Sequence, residues 1–229
     1  MSLSRDELVN ILSVVSFLGH YEREMHAAEK KVLMAIFKAA SVTHEEHEKM
    51  MQNKKSFSDY KKNKKIKVGY YSADFRTHAM GHLLVRMFEL HDKEKFEIYG
   101  FYFGPTIREN DNLSKRIIKS FDKFIDVTSK NDIEVAELSR SIGIDIAVDL
   151  MCFTGTHNRF GIFTEKCAPL QINFLGYPGT SGSHHINYII VDKNLTSEDN
   201  KKYFSENLIF LPDTYQPNEQ EKKVSEKIF

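Results

Sequence analysis

The sequence predicts an α/β protein, a Rossmann-like parallel sheet preceded by a small helical segment. Three observations carry this expectation. From Ile66 onward, short apolar runs alternate with helix-patterned stretches. The run Ile144-Asp145-Ile146-Ala147-Val148-Asp149-Leu150 is apolar enough for a strand covered on both faces. Polar, glycine-bearing segments follow directly after such runs, at the sheet edge where doubly wound folds place their ligands. A chain of 229 residues accommodates one such domain with a smaller attachment.

The N-terminal residues 1–53 read as helical. Ser4 and Glu7 form a capping box, and Leu8, Ile11, Leu12, Val15 and Leu18 recur at helical spacing. A second stripe holds Tyr21, Met25, Ala28, Val32, Ile36 and Ala39. No tetratricopeptide period is legible in this segment. Residues 54–65 form a basic linker, part of a stretch with lysines at 54, 55, 61, 62, 64, 65 and 67. With only Phe57 and Tyr60 between them, a solvated linker is expected rather than a nucleic-acid platform. The sheet domain spans 66–215, with strands expected at 66–72, 96–103, 144–150, 169–175 and 189–192. Helices are expected near 79–91, 111–120, 132–142 and 160–166. Residues 216–229 form a charged tail.

Lys plus Arg and Asp plus Glu both number 32, so no global field recruits nucleic acid or a membrane surface. No run is long enough for a membrane-spanning helix, and the opening residues lack a signal-peptide pattern. Cys152 and Cys167 belong to no paired motif and read as buried thiols. A reduced, cytoplasmic protein is expected.

Chemistry is expected at three strand exits. The first runs through Ser72, Asp74, Phe75, His78 and His82. A helix beginning near His78 sets the two histidines on one face and directs free amides toward an anion such as a diphosphate. The same dipole favours neutral imidazole, the form able to accept a proton. A zinc site using Asp74 or His184 is the competing idea; an isolated HxxxH is weak support, and no metal is expected. The second exit carries Cys152, Phe153, Thr154 and Arg159, a polar loop after a buried strand. The third, Leu175-Gly176-Tyr177-Pro178-Gly179-Thr180-Ser181-Gly182, holds three glycines in seven residues, which permits close backbone approach to a ligand. It matches neither a dinucleotide fingerprint nor a Walker loop.

In order and spacing, these segments resemble the O-GlcNAc transferase family, including its bacterial members with tetratricopeptide repeats. The family pattern S-x-D-F-x-x-H-x-x-x-H falls on Ser72, Asp74, Phe75, His78 and His82. Thr154 and Arg159 match its next loop; Ala168, Pro169 and Gln171 match its A-P-x-Q strand. Leu175 to Gly182 carries L-G-Y-P-G-T-S-G unbroken, and Ile189, Ile190 and Asp192 match the following strand. The resemblance covers roughly residues 65–212.

That resemblance implies the N-terminal half of a GT-B catalytic region and inverting transfer of N-acetylglucosamine from UDP-GlcNAc to serine or threonine hydroxyls. By the same carry-over His78 is the candidate base, or an acceptor-side contact. Ala79, Met80, His82, Thr154, Arg159, Leu175, Gly176, Tyr177 and Pro178 are candidate substrate contacts. A nucleotide-sugar donor, a protein or peptide acceptor and a second catalytic half-domain are the implied partners, with no cofactor beyond the donor. Ala79 stands where the family often has proline, Cys152-Phe153 where it has Gly-Tyr or Gly-His, and Lys166-Cys167 where it has Arg-Pro. The bridge from Thr154 to Arg159 is one residue longer than usual. With no room for a second α/β domain before Phe229, the chain alone is expected to be inactive or nearly so. The alternatives are a non-catalytic interaction module on this scaffold, or an enzyme for another sugar nucleotide.

Overall fold

A computed structural model describes residues 65–218. The segment 1–53, expected to be helical, nearly all of the expected basic linker and most of the charged tail lie outside the described residues. Within them, seven strands form one sheet: β1 (Ile66–Ser72), β2 (Phe96–Tyr102), β3 (Lys123–Asp126), β4 (Ile146–Asp149), β5 (Leu170–Asn173), β6 (Tyr188–Val191) and β7 (Asn207–Phe210). Their order is β3-β2-β1-β4-β5-β6-β7, and every pairing is parallel. The expected Rossmann-like sheet is therefore present, with its reversal of strand order between β1 and β4.

Parallel neighbours require crossovers, and four helices supply those as far as β5: α1 (Ala79–Glu89), α2 (Asn112–Ser120), α3 (Asp132–Ile142) and the short α4 (Gly161–Thr164). A loop leads from β5 to β6, and a 3-10 turn at Glu198–Tyr203 precedes β7. Each long helix starts where a side chain satisfies a free amide. His78 caps α1 by accepting from the Met80 amide, Asp111 caps α2 from Ser114, and Asn131 with Glu134 forms a reciprocal capping box on α3. Gly143 ends α3 at φ 78°, a left-handed C-cap that glycine adopts without strain. No helix among the described residues is long and apolar enough to cross a membrane.

Side-chain alternation along the strands gives the sheet two cores. Val68, Tyr70, Ile98, Ile146, Val148 and Ile172 face α1 and α2, where Leu84, Val85, Phe88 and Ile117 cover them. Tyr71, Phe101 and Ala147 face α3 and α4, meeting Val135, Ala136, Ile162 and Phe163. Both faces are thus buried, which is why the central strands read as continuous apolar runs.

Two strands escape the sequence reading. β3 is half exposed, and β7 is a four-residue strand; both lie at sheet edges, where little apolar signal is demanded. β4 is shorter than its apolar run because Ile144 is buried ahead of the ladder, against the α3 face. The expected helix at 160–166 shrinks to α4, and Lys166 sits beyond it at φ 53°.

Phe75 connects this core to the first strand exit. Its ring is 1% exposed and makes edge contacts with Phe121 at 5.1 Å and Phe88 at 5.8 Å. Its carbonyl accepts from Ser114 Oγ at 2.7 Å. Phe75→Ala should lose about 3–5 kcal/mol of stability, the usual cost of deleting a buried ring. A urea titration showing a loss under about 1 kcal/mol would mean that this ring does not anchor the exit.

Candidate functional site at the strand exits

The reversal of strand order leaves a crevice beyond the carboxyl ends of β1 and β4, and the three singled-out segments all emerge beside it. The first is turned by Ser72, whose hydroxyl accepts from the Asp74 amide at 2.9 Å. Thr77 is tied across to the α2 cap, its amide and hydroxyl reaching Asp111 at 2.7 and 2.8 Å. Burial opposes ionisation of Asp111, but the amides of Ser114 and Thr77 outweigh it and hold the carboxyl at about 2. Gly81 lets α1 lie against this loop, since a Cβ there would run into the Arg76 carbonyl oxygen.

His78 stands between two kinds of partner. Its Nδ1 accepts from the Met80 amide at 3.3 Å and lies 3.4 Å from Asp74 Oδ2. Asp74 also meets Arg76 at 3.2 Å. With Nδ1 serving the amide, a neutral ring carries its proton on Nε2. With a proton on Nδ1, the ring donates to Asp74 and Nε2 becomes an acceptor, the form a general base needs. The His78 side chain is 40% exposed, so it can reach a ligand. His82 donates its backbone amide to the His78 carbonyl at 3.1 Å, and its side chain is exposed on the next turn. Ala79 and Met80 form the first turn of α1; the Met80 amide is taken up by the His78 cap. Among the described residues no three His, Cys, Asp or Glu side chains converge in a metal-binding arrangement.

The second segment is turned by Asp149, whose Oδ1 accepts from the Met151 and Cys152 amides, each at 2.9 Å. Cys152 adopts φ 50°, a left-handed conformation costly for a non-glycine residue. Its thiol is pushed up to about 12, first by burial and then by Asp149. Thr154 spends its hydroxyl on the Met151 carbonyl at 2.6 Å. Arg159 turns toward α3: its guanidinium meets Asp132 at 2.6 Å, donates to the Val127 carbonyl at 3.1 Å and lies over the Phe103 ring. The structure therefore places the Arg159 guanidinium in a clamp on the α3 side.

In the third segment Leu175 adopts φ 70°, and Gly176 passes so close to β4 that a Cβ would strike the Leu150 carbonyl. Leu175 packs in the same core as Met80, so the first and third exits share the α1 face of the sheet. Tyr177 and Pro178 are exposed, and the Tyr177 ring lies 6.2 Å from exposed Phe153. Asn173 holds the turn, donating to the carbonyls of Tyr177 at 3.2 Å and Gly179 at 3.4 Å.

Two buried oxygens here escape sequence reasoning. Asp149 and Asn173 are register partners on β4 and β5, and both point away from the α1 face. Asp149 Oδ2 and Asn173 Oδ1 are buried without a hydrogen-bond partner. Burial, partly countered by the Cys152 and Met151 amides, raises the Asp149 carboxyl to about 6. A proton on Asp149 Oδ2 removes the charge from that buried, unpartnered oxygen. Each is a polar residue within an apolar run, at the last position of its strand, but only sheet register pairs them.

Comparison with known proteins gives this geometry a lineage. The model of glycosyl transferase family 41 matches residues 12–225. The chain belongs to that family. The family 41 chain is 30% identical over 161 residues to the Arabidopsis thaliana protein named probable UDP-N-acetylglucosamine–peptide N-acetylglucosaminyltransferase SEC, covering 70% of this chain and 16% of the plant protein. It is 29% identical over 153 residues to the UDP-N-acetylglucosamine–peptide N-acetylglucosaminyltransferase of Caenorhabditis elegans, covering 66% of this chain and 13% of that protein. In fold it resembles a mutant O-GlcNAc transferase of Thermobaculum terrenum, with TM-score 0.63, 22% identity, and coverage of 93% of this chain and 42% of the other. The family 41 chain thus spans less than a fifth of these two curated relatives and under half of that solved one.

Asp149 gives the site a pH signature. Between its ordinary 3.8 and about 6, the folded chain holds this proton more tightly than the unfolded chain. Stability from this group is therefore full below pH 3.8 and falls as pH rises to about 6, by on the order of 3 kcal/mol. Asp149→Asn keeps the turn acceptor and removes the titration. Its urea midpoint relative to wild type should be higher at pH 7.5 than at pH 4. An offset constant across that range would show that Asp149 carries no such proton.

Proposed function

We propose that this chain forms the N-terminal half of the catalytic region of a protein O-linked N-acetylglucosaminyltransferase, transferring the sugar from UDP-GlcNAc to serine or threonine with inversion. The observation that carries the reading is His78, exposed at the first turn of α1 beside the strand-order reversal, with Asp74 3.4 Å from its Nδ1. The donor and a peptide acceptor are supported by the names of the relatives, each a UDP-N-acetylglucosamine–peptide transferase.

In this reading His78 keeps its proton on Nδ1 and donates it in a hydrogen bond to Asp74, leaving Nε2 to accept the proton of the attacking hydroxyl, which is a poor nucleophile while it keeps that proton. The Ala79 amide, and the Met80 amide that His78 releases when its Nδ1 carries the proton, stabilise the charge that develops on the departing diphosphate. The backbone at Leu175 and Gly176 lines the sugar, and Tyr177 with Pro178 forms the exposed lip. His82 supports the first turn of α1 from the next turn. A second α/β half supplies the uridine contacts.

The test is a transfer assay on the 229-residue chain, alone and mixed with the C-terminal catalytic half of a family 41 enzyme, using UDP-GlcNAc and a serine-containing peptide. Transfer is expected only in the mixture, with His78→Ala reducing it by about 10²–10⁴-fold, the span typical of a lost general base. An active mixture indifferent to His78→Ala would remove that residue from catalysis. Binding of peptide without any transfer would favour a non-catalytic interaction module instead.

A further inference from the structure

We propose that Glu206 is the positioning residue of the glycine-rich loop 175–182, holding it through an acceptor-only carboxylate; its functional consequence rests on reading that loop as the sugar side of the cleft. Glu206 precedes β7 and is 3% exposed. Oε1 accepts from the Ser181 amide at 2.7 Å and from the Ser181 hydroxyl. Oε2 accepts from the Thr180 hydroxyl at 2.7 Å and the Ser205 hydroxyl at 3.1 Å. Three of these four donors belong to the loop.

The donor and acceptor count explains why a carboxylate stands here. A hydroxyl has one proton and two lone pairs. Thr180 Oγ1 already accepts from the Gly182 amide at 3.0 Å and the Ser205 amide at 3.2 Å, so its proton requires an acceptor. Ser181 Oγ accepts from the Ser183 amide at 3.3 Å and likewise turns its proton to Glu206. Glutamine fits the volume and fails the count. Turned one way, its NH2 group meets the Ser181 amide; turned the other, it faces Thr180 Oγ1, whose lone pairs are taken, and can donate only by turning the Ser205 hydroxyl from donor to acceptor. An enclosed donor left facing another donor costs more than a hydrogen bond contributes.

The loop has little else to hold its far end. Among the described residues no helix or strand lies between β5 and β6, and Asn173 secures only the Tyr177 and Gly179 carbonyls. Glu206 therefore ties the end of the motif to β7, two strands away from β5. Loss of this tie frees the segment beyond Gly179 while leaving the β1 and β4 exits intact.

Hydrogen exchange on the 229-residue chain tests this without assuming any activity. In E206Q and E206A, the amides of Ser181, Gly182, Ser183 and Ser205 should exchange at least about tenfold faster, the equivalent of 1.4 kcal/mol, with strands β1 and β4 unchanged. Acetate, which replaces the carboxylate lost in E206A, should restore protection, and acetamide should not. Wild-type protection in E206Q, or equal rescue by the two additives, overturns the proposal. Should E206A fail to fold, T180V reads the Gly182 and Ser205 amides with the carboxylate in place, and unchanged exchange there also overturns it. In the two-half transfer assay E206Q should raise the KM for UDP-GlcNAc more than it lowers kcat. Unaltered constants despite an opened loop overturn the positioning role. Absence of transfer in wild type overturns the proposed function, while the exchange result still decides the role of Glu206.

Discussion

A parallel sheet with both faces buried confines its usable chemistry to one edge, and the backbone at that edge has to be turned without water. Four strand exits in this chain are turned by a side chain at or just past the end of the strand. Ser72, Asp126, Asp149 and Asp192 each accept from an amide two or three residues onward. These short-range bonds satisfy backbone donors that the ladder no longer can. They also set where His78, Cys152 and the residues after β6 stand. The candidate site is a by-product of how the sheet ends.

Burial makes those acceptors unequal. Asp192 is held below the ordinary carboxylate range, since the amides of Tyr215, Leu195 and Asn194 outweigh its burial. Asp149 receives two amides on one oxygen and nothing on the other, so burial prevails and the group is raised. The contrast lies in depth and donors together: the Asp149 carboxyl is the more deeply buried of the two and has the fewer donors. At the third exit Asn173 and Glu206 divide the work, one donating to carbonyls and the other accepting from hydroxyls and an amide. Two non-glycine residues in left-handed backbone, Cys152 and Leu175, lie in these same loops. Both are buried, and the surrounding bonds hold them in that conformation.

Legibility followed burial. The central strands stand out in the sequence because each must be apolar on both faces, and α1 to α3 because their caps and apolar stripes are local. The edge strands β3 and β7 do not, since an edge tolerates Lys123, Asp126 and Asn207. Missing β7 also hid Glu206, which lies 25 residues from Ser181 and looks like any surface glutamate in a charged stretch. Arg159 shows the converse. Its place in a polar loop suggests a ligand contact, yet the guanidinium faces Asp132, 27 residues away in sequence.

The sequence by itself determined the alternating architecture, the three exits and the family, because apolar period, capping and an unbroken eight-residue motif are properties of neighbouring residues. It also placed His78 at a helix start, since the cap reaches only two residues along the chain. Only the tertiary structure decided which exits share a face, that Asp149 lies beside Asn173, and that Glu206 closes the loop after Gly179. Those pairings depend on strand order and register, which bring together residues with no periodic relation in sequence. Whether a buried oxygen finds a donor is settled there, where water can no longer supply one.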